Sequence, residues 1–299
     1  MTEEKQHEFI KGIELTERLP EGTALVLEGG GLRGFYSSGV MEAFMERKIL
    51  FPYIAGVSAG AANALSYISG QRMRSREIIE NYVCTPRYVS RRNLVFKGSL
   101  FDFDYVFGTI PEKLIPFDWE SFGRQDTRFL TGTMDAATGN TVWFEKEDIK
   151  PPFDASIASC SIPFLTKIHN YRGYELVDGG VSCPIPIEKS IEDGNVFHVI
   201  VLTRNPGYRK KESGHERSFR LLSRRHPAIA EAMSRRSIIY NRQIELCEEL
   251  EREGKAVIIR PLEPIKVKRA SSDVKTLLEL HDEGVAEGRA ALDRILRML

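Results

Sequence analysis

Two glycine-marked junctions in the first 70 residues constrain the fold of this chain more than any other feature. The run Thr23-Ala24-Leu25-Val26-Leu27-Glu28 is compact and apolar, as expected of a strand covered on both faces. Gly29-Gly30-Gly31-Leu32-Arg33-Gly34 stops it. From Phe35 to Lys48 apolar side chains recur near helical spacing, Val40, Phe44 and Ile49 with Met41 and Met45 alongside. Tyr53-Ile54-Ala55-Gly56-Val57 reads as a second strand, Ser58 follows it, and Ala59 to Ser69 is rich in the small residues of a helix packed closely on a sheet. Strand, glycine turn, helix, strand, tight turn, helix: this order predicts an α/β fold whose central sheet is mostly parallel and flanked by helices.

The rest of the chain extends that plan. Residues 70–125 mix aromatic, basic and Gly/Pro positions and are expected to form helices and loops over a site. Arg128–Met134 and Thr141–Phe144 flank a turn-rich spacer and predict a hairpin. Leu176-Val177 leads into Asp178-Gly179-Gly180, and two further buried strands are expected at His198–Leu202 and Ala256–Arg260. A final helix from Ser272 to Leu299, with Ser272 as its cap and Asp273 in its first turn, carries an apolar stripe. The expected division is a lead-in over 1–22, a catalytic domain over 23–190, and a C-terminal α/β extension over 191–299 that completes or packs on the core.

At 299 residues the chain can bury a full core, and 42% hydrophobic and 28% charged residues are ordinary for a soluble protein. The formal net charge is zero, which argues against a nucleic-acid partner. The N-terminus has no basic-then-apolar signal pattern, and no apolar run approaches the ~18 residues of a membrane span. Cys84, Cys160, Cys183 and Cys247 have neither metal-ligand nor redox spacing, so free thiols in a reducing cytoplasm are expected, with no metal and no cofactor.

Gly56-Val57-Ser58-Ala59-Gly60 is the motif with the most chemistry. On a sharp strand-to-helix turn, small neighbours let the chains approach and thrust the serine side chain into the open, which makes Ser58 a nucleophile candidate. The upstream cluster formally matches the dinucleotide fingerprint, but that reading needs an acid at the end of the next strand, where Gly-x-Ser-x-Gly stands instead. No Gly-Lys-Ser/Thr follows, so it is not a phosphate-binding P-loop either. Backbone N–H groups of such a turn can instead face a developing oxyanion. A serine nucleophile needs a base. His7, His169, His198, His215, His226 and His281 all stand in structural or surface contexts, whereas Asp178 closes an apolar strand before a flexible turn. From the residues alone, both an Asp partner and a Ser-Asp-His triad using His198 or His281 stand open, as does a non-catalytic lipid-binding module.

The glycine cluster, the nucleophile turn about two dozen residues after it, and the distant Asp-Gly-Gly together resemble the patatin-like phospholipase family. Ala155–Phe164 resembles that family's Ala-Ser-x-Ala-x-Pro block, with Ser161 at a position usually held by Ala. The resemblance covers residues 23–190. It implies a three-layer sandwich and metal-free hydrolysis of lipid acyl esters. Ser58 would be the nucleophile, within the turn Gly56 to Gly60, and Asp178, followed by Gly179 and Gly180, its base. The oxyanion loop would be Gly29, Gly30, Gly31, Leu32, Arg33 and Gly34, with the amides of Gly30, Gly31 and Leu32 as donors. Residues 204–236 hold ten Lys or Arg against three Glu, among them Arg204, Arg217, Arg220 and Arg236, so contact with an anionic membrane surface is expected there, on a cytoplasmic protein that is peripheral at the membrane.

Overall fold

The computed structural model describes residues 9–212, 214, 218–219, 221, 223–267 and 273–299. Its strands are β1 (Glu17–Arg18), β2 (Thr23–Leu27), β3 (Ile49–Leu50), β4 (Tyr53–Val57), β5 (Arg128–Asp135), β6 (Thr141–Phe144), β7 (His169–Tyr171), β8 (Tyr174–Asp178), β9 (Phe197–Val201) and β10 (Ala256–Ile259). Eight of them form one sheet in the order β10-β9-β2-β4-β5-β8-β7, with β6 paired to β5. The pairs from β10 to β5 are parallel, and β6, β8 and β7 are added antiparallel. The sheet is therefore parallel through its centre and antiparallel at one edge, where the expected hairpin of β5 and β6 lies.

Helices cover both faces. They are α1 (Phe35–Glu46), α2 (Ala59–Ile68), α3 (Arg74–Ile78), α4 (Arg91–Lys97), α5 (Trp119–Arg124), α6 (Asp154–Ser159), α7 (Ile187–Glu192), α8 (Pro227–Arg252) and α9 (Val274–Met298). The strand period of two divides the core between them. Leu25 and Leu27 of β2, Val199 and Val201 of β9 and Val257 and Ile259 of β10 join a cluster with Val40, Phe44, Leu65, Leu277, Leu292 and Ile295. The alternate residues Ala24, Val26, Ile200 and Ile258 face the other way, onto Ile187, Tyr240, Ile244 and Cys247. One layer is thus α1, α2 and α9, and the opposite layer α7 and α8. Both layers draw on residues after 190, and β9 lies directly beside β2.

Two local expectations are refined. Asp273 itself caps α9, its carboxylate accepting the Thr276 N–H at 2.9 Å, while Ser272 lies outside the described residues. The described part of the lead-in is tied into the domain: Leu15 and Leu19 are buried, and β1 pairs with β3. Buried side chains hold its backbone, since Asp118 accepts the Gly12 N–H at 2.8 Å and Gln125 donates to the Ile13 carbonyl at 3.0 Å.

Candidate active site

β4 delivers Ser58. The residue follows Val57 at the strand's end and caps α2, with φ 54° and ψ −130°. That region is sparsely populated by residues with a Cβ and costs on the order of 1–3 kcal/mol. The surroundings impose it. A Cβ on Gly60 would stand 2.7 Å from the carbonyl oxygens of Leu27 and Glu28, and one on Gly56 2.8 Å from the Ala61 nitrogen, so only glycine allows the turn to close on β2. The Ser58 N–H donates to Ser159 Oγ at 2.8 Å, and that hydroxyl donates to the Gly132 carbonyl at 2.7 Å. Ser159, wholly buried at the end of α6, thereby ties the turn at Ser58 to β5.

Asp178 arrives from the antiparallel edge, as the last residue of β8. The Ser58 hydroxyl donates to its Oδ2 at 2.8 Å, and its Oδ1 accepts the Gly180 N–H at 2.7 Å. Ser58 and Asp178 are 6% and 5% exposed, so the pair is formed largely out of water and still opens on a cavity. Gly179 is pressed against β5, where a Cβ would meet the Gly132 carbonyl.

The glycine loop lies over Ser58, with a Cβ on Gly29 falling 3.1 Å from Ser58 Cβ. Its six residues do different things. The Gly29 N–H donates to the Pro184 carbonyl at 3.4 Å, and the Arg33 N–H to the Gly30 carbonyl at 3.3 Å. Gly34 sits against α2, its carbonyl accepting from Asn63 at 2.8 Å. Gly30 and Gly31 line a cavity with Ser58 and Asp178, while Leu32 lines a second cavity beyond the serine. The loop rests on Glu28, whose buried carboxylate accepts the Thr203 N–H at 2.6 Å. Burial pushes the Glu28 carboxyl above its ordinary range, with the Thr203 amide, Arg33 and Arg204 pulling the other way.

The two cavities that meet at Ser58 differ in chemistry. One is polar and cationic, lined by Arg33, Arg204, Lys210 and Arg236 along with Glu28 and Tyr240. The other is apolar, lined by Leu32, Phe35, Tyr88, Phe101, Phe103 and Phe107. Three of the cations come from the basic segment 204–236, together with which Arg209 pairs with Glu248 and Arg235 with Glu231. Arg217 and Arg220 lie outside the described residues.

Arg236 has a further contact that the basic-segment reading did not foresee. From α8 its Nε donates to the Gly180 carbonyl at 2.6 Å, on the same residue whose N–H holds Asp178. One helical stretch further on, Gln243 accepts the Ile185 N–H at 3.0 Å. α8 thus braces the turn that aims Asp178. Should Ser58 and Asp178 act together on an ester, Arg236→Gln, which removes this brace, is expected to lower kcat on a neutral, water-soluble ester on the order of 10- to 100-fold with little change in KM, and Arg236→Lys to restore part of it. Steady-state kinetics on the three proteins check this.

No histidine among the described residues lines either cavity. His198 is buried in β9 with its Nδ1 3.1 Å from Ser190 Oγ, and burial pushes its ring down to about 4. His281 is buried on α9, and His7 and His215 lie outside the described residues. His198 instead bears on stability. Between its ordinary value near ~6.5 and about 4 the unfolded chain binds a proton that the folded chain refuses, so its stabilising effect is complete above that window and lost as pH falls through it. His198→Gln is expected to shrink the drop in Tm between neutral and acidic buffer, as read by thermal unfolding across that range.

No group of His, Cys, Asp and Glu is arranged for a metal ion among the described residues, and none of their helices is long and apolar enough to cross a membrane. A model of the patatin-like phospholipase family matches residues 25–190, and a model of a domain of unknown function (DUF6363) matches residues 226–299. Among individual proteins, the chain is 27% identical over 195 residues to the uncharacterized protein YjjU of Escherichia coli, covering 62% of this chain and 52% of that one. It is 26% identical over 172 residues to an uncharacterized NTE family protein of Mycobacterium tuberculosis, covering 55% and 44%. It is 26% identical over 238 residues to triacylglycerol lipase 4 of Saccharomyces cerevisiae, covering 66% and 26%. The chain thus spans about half the length, or less, of the curated relatives it matches.

Proposed function

The chain belongs to the patatin-like phospholipase family, and from that premise we propose that it hydrolyses acyl esters of lipids through a Ser58–Asp178 dyad and an acyl-enzyme intermediate. The observation that carries this reading is the 2.8 Å hydrogen bond from a serine on a positive-φ turn to a buried carboxylate, at the meeting point of an apolar and a cationic cavity. Asp178 Oδ2 takes the Ser58 proton as Oγ attacks the ester carbonyl. The negative charge that develops faces the amides of Gly30, Gly31 and Leu32, in the turn that precedes α1, where hydrogen bonds aimed at the oxyanion act without reorganising. Collapse expels the alcohol, which takes the proton back from Asp178. Water then attacks acyl-Ser58 by the same route and releases the fatty acid.

The two cavities orient the substrate. The acyl chain lies among Phe101, Phe103 and Phe107, and the alcohol leaves towards Arg204, Lys210 and Arg236. The contact expected between segment 204–236 and an anionic lipid is then made inside the cavity, at the head group. A cytoplasmic location with peripheral membrane contact belongs to the same proposal. Hydrolysis of a panel of neutral glycerides, zwitterionic and anionic phospholipids and acyl thioesters by the purified protein, with Ser58→Ala as the blank, tests it. Fatty acid released only by the parent protein supports the reading, and release that survives Ser58→Ala refutes it.

A further inference from the structure

The excursion over residues 88–102 carries an exposed helix and is tied back to the body of the protein by the Leu100 N–H on the Leu165 carbonyl at 2.6 Å. Its base is closed by the bridge of Val89 to Phe101, by the Ser90 N–H on the Leu100 carbonyl at 3.0 Å, and by the Asp102 N–H on the Tyr88 carbonyl at 3.1 Å. Its tip is α4, capped by Ser90 and ended by Gly98 with φ 69°. Buried Asn93 fastens the helix to the preceding turn through the Pro86 and Arg87 carbonyls, at 3.3 and 3.2 Å. The excursion is therefore built, and at its tip two apolar side chains, Val95 and Phe96, stand exposed.

Val95 is 76% exposed and Phe96 78%, more than any other large apolar side chain among the described residues. Arg91, Arg92 and Lys97 stand exposed on the same helix, and Arg87 just before it. From Asn81 to Phe101 there is no acidic residue. The nearest acid, Asp102, receives Lys97, and Arg92 lies over the Phe96 ring at 5.8 Å. Such a face couples an apolar wedge to the neighbouring cations Arg91 and Arg92, the chemistry that an anionic bilayer surface complements. Its position adds a reason: Tyr88 and Phe101, at the base of the excursion, line the apolar cavity beside Ser58.

We infer that the tip of this excursion, Val95 and Phe96 beside the cations Arg91 and Arg92, docks the protein on anionic lipid surfaces and sets the mouth of the apolar cavity at the bilayer. This rests on the lipid-ester reading for its purpose but not for its measurement. Docking is read on Ser58→Ala protein, where no turnover intervenes, by co-sedimentation with vesicles of phosphatidylcholine alone or mixed equally with phosphatidylglycerol, at two salt concentrations. The Ser58→Ala protein is expected to bind the mixed vesicles at least 10-fold better than the neutral ones, with the preference shrinking in high salt. Adding Val95→Ser and Phe96→Ser is expected to weaken binding to mixed vesicles on the order of 10-fold, and Arg91→Gln with Arg92→Gln to remove most of the anionic preference. In the active protein, the Val95→Ser, Phe96→Ser change is expected to lower turnover of vesicle lipid while leaving that of a dissolved short-chain ester unchanged, with Tm also unchanged because both side chains are exposed. Equal binding to the two vesicle types, or undiminished binding by the Val95→Ser, Phe96→Ser protein, overturns the inference. So does a dimer in sedimentation that these two substitutions dissociate, since the face would then serve a second copy. Failure of the hydrolase reading looks different: vesicles are bound, and neither vesicle lipid nor dissolved ester is cleaved.

Discussion

Ser58→Ala protein is expected to fold, to keep its thermal transition or raise it, and to lose ester turnover by a factor on the order of 10⁴ or more. The loss follows from chemistry: without Oγ no acyl-enzyme can form, and what remains is binding and the glycine-loop amides acting on water. The retained fold follows from geometry. The Ser58 side chain makes its hydrogen bond to Asp178, while the turn is held through the Ser58 backbone, whose N–H goes to Ser159. Alanine keeps that backbone bond and inherits the same positive φ. The variant also leaves Asp178 with its bond to the Gly180 N–H, so the carboxylate is not stranded. Hydrolysis of a p-nitrophenyl ester and a thermal melt on the same preparation separate the two outcomes.

Asp178→Asn is the second large effect. Its carbonyl oxygen can still accept the Gly180 N–H, but the atom facing Ser58 Oγ becomes an NH₂ group, which takes no proton. Turnover is expected to fall on the order of 10⁴-fold with the melt nearly unchanged, as when the orienting acid of other serine hydrolases is amidated. With a carboxylate as base no histidine is needed, so His198→Gln and His281→Gln are each expected to keep turnover of a dissolved ester within a few-fold of the parent. Loss of turnover in either, with the fold retained, would mean that a histidine takes the proton.

The parts of this site legible in the sequence are those where local backbone geometry dictates the residue type. Gly56 and Gly60 are written into the motif because the turn around Ser58 has no room for a Cβ, and Gly31, with φ 57°, because its backbone needs the left-handed region. Asp178 was visible because a strand ends there and a turn begins. Ser159 and Arg236 were not, since each acts through one tertiary hydrogen bond, and neither a serine among small residues nor one of ten clustered cations announces its partner. The apolar cavity was hidden for a different reason. Part of its wall comes from the π-helical stretch Asp104–Leu114, which contains Pro111 and so departs from α-helical spacing. The antiparallel edge was equally silent: the order β5-β8-β7 places Asp178 beside Ser58, and a list of strands does not give their order in the sheet.

The most direct test of the central claim is the rate and site of fluorophosphonate labelling, followed by intact mass and peptide mapping. The expected result is one adduct per chain on Ser58, none on the Ser58→Ala protein, and labelling of Asp178→Asn slowed by several orders of magnitude. An adduct on another residue, or Asp178→Asn protein labelled as fast as the parent, would contradict the pairing of Ser58 with Asp178.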